Sequence, residues 1–152
     1  MPSPVYLEIG TKRVFAGAVD WPGRCRAAKN EDAALESLAA YAERYRPVTE
    51  AAGMRFPASA ADTFHVVERV KGDATTDFGA PSMPIAGDAT PLAKAQGERL
   101  AALVDATWTV FDRVVEGSPA ELRQAPGAVG ATAPRWWPTW STPRPRIYPR
   151  WA

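Results

Sequence analysis

The chain of 152 residues is 46% hydrophobic and 23% charged, an ordinary globular balance, and it is long enough to bury a core without metal or disulfide staples. No run of about 18 apolar residues occurs, which excludes a membrane-spanning helix. The single cysteine, Cys25, excludes an internal disulfide. The net charge of +1 hides an asymmetry: residues 1–122 hold 13 Lys/Arg against 17 Asp/Glu, whereas 123–152 hold five Arg and no acid. Met1-Pro2-Ser3-Pro4 has neither the basic flank nor the apolar stretch of a secretory signal, so a cytoplasmic location is expected.

Val5-Tyr6-Leu7-Glu8-Ile9, bounded by Pro4 and Gly10, is β-branched and aromatic and predicts a strand. A polar turn over 10–13 leads to a second strand, Val14 to Val19, with Gly17 marking a bulge or a close backbone approach. The two form an antiparallel hairpin. Asp20-Trp21-Pro22-Gly23 is a tight corner, because Pro presets φ and Gly takes φ > 0 at no cost. Arg24 to Ala28 fits a short edge strand kept soluble by Arg24 and Arg26.

Asn30 is a good N-cap, and Glu31 and Asp32 suit the positive end of a helix dipole. Leu35, Leu38, Ala39, Ala42 and Tyr45 continue at helical spacing. Pro47 ends or restarts this helix, and Gly53 closes the turn or two after it. Phe64 to Val70 is the next strand, with Phe64, Val66 and Val70 on one face. From Lys71 to Asp88 the Gly, Pro, Thr and Asp content predicts a long loop. Thr90-Pro91 then caps the longest helix, whose apolar residues recur at three- and four-residue steps from Leu92 to Val115 and stop at Gly117. Ser118-Pro119-Ala120-Glu121 has the form of a capping box opening one more helix.

The residues beyond that box do not continue a helix. Residues 125–152 hold six of the fifteen Pro and four of the six Trp, with no Leu and no acid. One reading is a Trp/Pro/Arg-rich peptide for membranes, nucleic acid or proline-reading domains. The favoured reading is a frameshift. In a GC-rich gene, the frame one base earlier turns Trp136, Trp137 and Trp140 into Val, and 131–142 becomes a charged start leading into an amphipathic helix.

The stretch from Val5 to Tyr45 resembles the HicB-like antitoxin fold. The carrying features are the strand pair, the corner Asp20-Trp21-Pro22-Gly23-Arg24-Cys25, and the helix with Glu31-Asp32-Ala33-Ala34-Leu35-Glu36. That resemblance implies pairing with a small toxin and often a separate DNA-binding segment, and no helix-turn-helix or ribbon-helix-helix pattern occurs after Tyr45. The helix from Leu92 to Glu116, with Ser118–Arg123, resembles the opening of a DinB-like four-helix bundle. The DinB-like resemblance implies a three-histidine metal site and, in some members, thiol transfer or hydrolysis. Only the first such helix is present, and residues 125–152 contain no His to carry over. The combination resembles proteins of high-GC bacteria.

Candidate sites are few. His65, the only histidine, sits in an apolar strand and suits a hydrogen-bonded structural role. No His/Cys/Asp/Glu cluster has metal-ligand spacing. Cys25 lies beside Arg24 and Arg26, whose charge would activate a thiol, although a half-buried inert thiol is the better expectation. The corner Asp20, Trp21 and Cys25 is one candidate for interaction or ligand binding, with Trp21 and Trp108 also suited to core or lid positions. The second candidate is Asp73, Thr76 and Asp77, where a solvated turn-rich loop is the plainer account.

The expected fold class is α+β: a small antiparallel sheet with a covering helix, one long helix, and a disordered C-terminal tail. The expected segments are a HicB-like unit over 1–70, a loop over 71–89, a long helix opening a truncated bundle over 90–124, and the tail over 125–152. The expected function is a non-catalytic protein-interaction domain, the remnant of a longer DinB-like protein. The competing readings are a metal-dependent hydrolase or thiol transferase, and a nucleic-acid-binding antitoxin-like protein. No cofactor is expected, a divalent metal requiring the full bundle. The expected partner is a protein, or a second copy, on the apolar face of the 92–115 helix, with no membrane and no nucleic acid.

Overall fold

Strands β1 (Ser3–Ile9), β2 (Val14–Ala18) and β3 (Cys25–Ala28) form an antiparallel meander, so the hairpin and the edge strand form as their residues predict. The computed structural model describes residues 1–119. After β3 the chain crosses one face of the sheet through α1 (Glu31–Ala40), α2 (Ala42–Ala51) and the single turn α3 (Ser59–Asp62). It returns as β4 (Phe64–Lys71), parallel to β1, giving the order β3-β2-β1-β4. The fold is α+β as expected, but the sheet is mixed and not purely antiparallel. The helical crossover carries the chain back over the sheet, so β4 enters beside β1 in the same direction.

Asn30 caps α1 as its side chain predicts, accepting the N–H of Ala33 at 2.9 Å. The helix breaks at Tyr41 and not at Pro47, which lies inside α2. Alternate residues of the hairpin face these helices: Val5 and Leu7 of β1 and Ala16 of β2 are fully buried with Ala34 and Leu38 of α1. Trp21, Tyr45 and Phe56 extend the core as three mutually inclined rings with centroids 5.0–6.2 Å apart.

A register shift between Val5 and Tyr6 separates residues expected to share a face. Val66 pairs with Val5 on the helix side, and Val70 pairs with Glu8 on the other. Arg69 meanwhile reaches Glu31 at the start of α1. The extra residue lets Phe64 and Val66 join the core while the later part of β4 turns its pattern over.

The expected loop over 71–89 is partly helical. It contains α4 (Ala74–Phe78) and a 3₁₀ turn (Ala86–Ala89), and it covers the second face of the sheet. Its composition conceals this because α4 is too short to show a period; a capping box between Asp73 and Thr76 specifies it instead.

The last helix, α5 (Lys94–Glu116), starts three residues later than the expected Thr90-Pro91 cap, with Ala93 accepting the N–H groups of Gln96 and Gly97 and Thr90 instead closing the 3₁₀ turn. Leu103 and Ala106 are buried in the core. The chain divides into two units after Phe111. In the second, the end of α5 closes with Gly117 N–H on the Arg113 carbonyl, as the glycine predicts. The expected tail, its frameshift, and the helix start beyond Pro119 lie outside the described residues.

Candidate functional site

The corner between β2 and β3 turns because Gly23 takes φ of 84°, which closes Arg24 N–H onto the Trp21 carbonyl at 3.1 Å. Its three candidate residues part company. Trp21 is buried among Tyr45 and Phe56, with the Arg99 guanidinium 4.6 Å from its ring centroid. Asp20 is exposed and Cys25 half-buried, and both line a cavity of about 580 Å³ on the second face of the sheet.

Arg24 overturns its expected role as a soluble edge residue. It is fully buried, and its guanidinium donates to the carbonyls of Ala60, of Ala61 at 2.6 Å and of Leu38 at 3.1 Å. The Phe56 and Phe64 rings lie 5.3 and 5.4 Å away. A cation is tolerated there because the last turn of α1 and the short α3 offer carbonyls, where helix dipoles are negative. Burial lowers its pKa below the usual arginine value, and Tyr45 partly opposes that.

Cys25 is not activated by its neighbours. Burial foremost, and then the charge of Glu8, raise the thiol to about 11 against the opposing charge of Arg26. Arg26 is engaged elsewhere, stacked over the Tyr41 ring. A thiol protonated at neutral pH is a poor nucleophile.

The Asp73, Thr76 and Asp77 cluster is a fastening. Asp73 accepts the N–H groups of Thr75 and Thr76 and the Ser82 hydroxyl, and these bonds hold its carboxyl below the usual range. Asp77 accepts the N–H of Lys12 at 2.7 Å, tying α4 to the β1–β2 turn. Thr76 is buried and donates its hydroxyl to Glu8 at 2.5 Å. Glu8 is the residue the sequence conceals. Its fully buried carboxylate also accepts the N–H groups of Ser82 and Met83, each at 3.1 Å, while Glu68 accepts that of Ala86 at 2.9 Å. A Glu alternating with apolar residues in a strand reads as solvent-facing. The available hint is the Thr/Ser/Asp-rich segment that supplies its donors.

His65 is exposed on β4 and its side chain makes no hydrogen bond to the described residues, unlike the structural role expected. Among the described residues, no group of three or more His, Cys, Asp and Glu is placed to hold a metal ion. No described helix is long and apolar enough to cross a membrane.

A second feature lies on α5. One face, with Leu103, Ala106 and Val110, joins the core. About 130° around the helix at 3.6 residues per turn, Val104 is 42% exposed, Trp108 37% and Phe111 47%, with the last two rings edge-to-face at 6.1 Å. No family model, curated protein or solved structure matches the chain.

Proposed function

We propose that the chain is a non-catalytic protein-interaction domain and that α5 is its recognition element. The observation that carries this is the second apolar stripe at Val104, Trp108 and Phe111, spaced four and three residues apart as a helix-packing face requires. Burying three half-exposed side chains of this size contributes several kcal/mol, on the order of 1–2 each, which suits a micromolar helix-to-helix contact after the costs of association. The order hairpin, corner, strand and covering helix supports the HicB-like resemblance. A helix with two apolar faces supports the reading of α5 as the first helix of a bundle.

The occupant proposed is the same helix of a second copy, because each copy then covers the other's stripe. Sedimentation of the full chain tests this: a dimer is expected at about 100 µM, dissociating on dilution. The Val104→Lys, Phe111→Glu variant should be monomeric, with the urea midpoint that the wild type shows when too dilute to dimerise. A wild-type monomer at all concentrations overturns the reading, as does a variant that still dimerises.

A further inference from the structure

The 580 Å³ cavity lies within the first unit and is independent of the α5 stripe. Its volume falls inside the range of small-molecule sites. Tyr6 of β1 forms part of its floor, with its ring against Gly17 of β2, where an added Cβ would collide with the ring. Met83, Ile85, Leu92 and Leu100 supply apolar wall from the covering segment and the start of α5. The Tyr6 hydroxyl makes no hydrogen bond to the described residues.

Two aspartates and two arginines line this apolar space, and it is the arginine heads that are engaged away from it. Asp20 and Asp88 both line it, and neither joins an ion pair among the described residues. Asp88 accepts one backbone N–H, that of Ile85, at 3.0 Å. Two arginines stand at the wall, but Arg24 directs its guanidinium to three carbonyls and Arg99 holds its own over Trp21. We propose that this cavity binds a small organic cation, an amine carried on an aromatic or compact apolar body. The body would occupy the space between Tyr6 and the apolar wall, and the ammonium would lie near Asp20, Asp88 and the electron-rich Tyr6 ring. The same field acts on Tyr6 itself: burial raises its pKa to about 12, and Cys25, Glu8 and Asp88 push the same way. The phenol therefore stays neutral at physiological pH.

Three probes of one shape separate charge from hydrophobicity: benzylamine, benzyl alcohol and phenylacetate, each titrated into the isotope-labelled full chain and monitored by amide NMR shifts. Benzylamine should give saturable shifts at Tyr6, Gly17, Cys25 and Ile85, with the alcohol weaker by roughly tenfold and phenylacetate weaker still. The Asp20→Asn, Asp88→Asn variant should weaken benzylamine by roughly tenfold and leave the alcohol unchanged. Both substitutions keep an acceptor oxygen, and the variant's own spectrum reports whether it is folded. Shifts that stay linear to about 10 mM benzylamine overturn the proposal, as do equal affinities for the three probes or a folded double variant that binds benzylamine unchanged.

Discussion

Replacing Arg24 by Met asks whether a buried cation joins the sheet to the helical layer. The substitution keeps much of the stem's volume and removes the donors to Ala60, Ala61 and Leu38. Three hydrogen bonds from a charged donor represent a gross loss on the order of 5–8 kcal/mol. Against this stands the returned desolvation of a guanidinium that is fully buried, whose Nε has no acceptor among the described residues, and whose carbonyl partners carry no full charge. That offset is several kcal/mol. The balance leaves a destabilisation of about 2–4 kcal/mol, because the Ala60 and Ala61 carbonyls lose the guanidinium that joins them to α1, while Leu38 keeps the N–H of Tyr41. Urea unfolding monitored by tryptophan fluorescence measures it: with a slope near 1.5–2 kcal/mol per M, the midpoint should fall by roughly 1–2 M. Arg24→Lys should recover only part of this, since an ammonium cannot span three carbonyls on two elements. A midpoint change below about 0.5 M for Arg24→Met would show that the cation's burial cancels its hydrogen bonds and that apolar packing alone joins the layers.

Glu8→Ala should destabilise the fold by about 2–4 kcal/mol, since it leaves the buried Thr76 hydroxyl and two backbone N–H groups without their acceptor. Hydrogen exchange should then accelerate first over residues 74–90, and a uniform acceleration across β1–β3 would contradict the fastening role. Asp73 has a lowered pKa, so its contribution is present above the unfolded carboxylate range and is lost as pH falls through the lower folded value. Amide shifts of Thr75 and Thr76 should therefore stay constant down to about pH 4 and move below it, and a midpoint above pH 4 refutes the cap. Cys25, raised to about 11, should alkylate slowly at pH 7–8 and accelerate steadily towards that value. Rapid modification at pH 7 would mean that Arg26 governs the thiol.

The hairpin, the corner, α1 and its cap are legible in the sequence because their causes are local. Asn30 meets the N–H three residues on, and Gly23 and Gly53 take the positive φ of 84° and 66° that their turns need. Glu8 and Arg24 are not legible because their partners lie 36 to 75 positions away or nearer but on another element. Charged side chains in strands are read as solvent-facing unless their acceptors or donors are already known. The parallel pairing of β4 is likewise a product of the helical crossover, which no property of Phe64–Lys71 announces. At the candidate corner, composition picks out Asp20, Trp21 and Cys25 together, but the turn at Gly23 leaves Trp21 in the core and Asp20 and Cys25 at the cavity. Tyr6, which shares that cavity, is paired with Gly17 across the hairpin, and the small residue opposite a large one was the available signal.

Whether α5 carries an interaction face distinct from the one it buries is decided by sedimentation equilibrium of the full chain, run beside the Val104→Lys, Phe111→Glu variant. A concentration-dependent dimer is expected for the first and, for the second, a monomer as stable as the wild type diluted to its own. A wild-type chain that remains monomeric throughout, or a variant less stable than the wild type diluted to its monomer, would contradict a separate docking face.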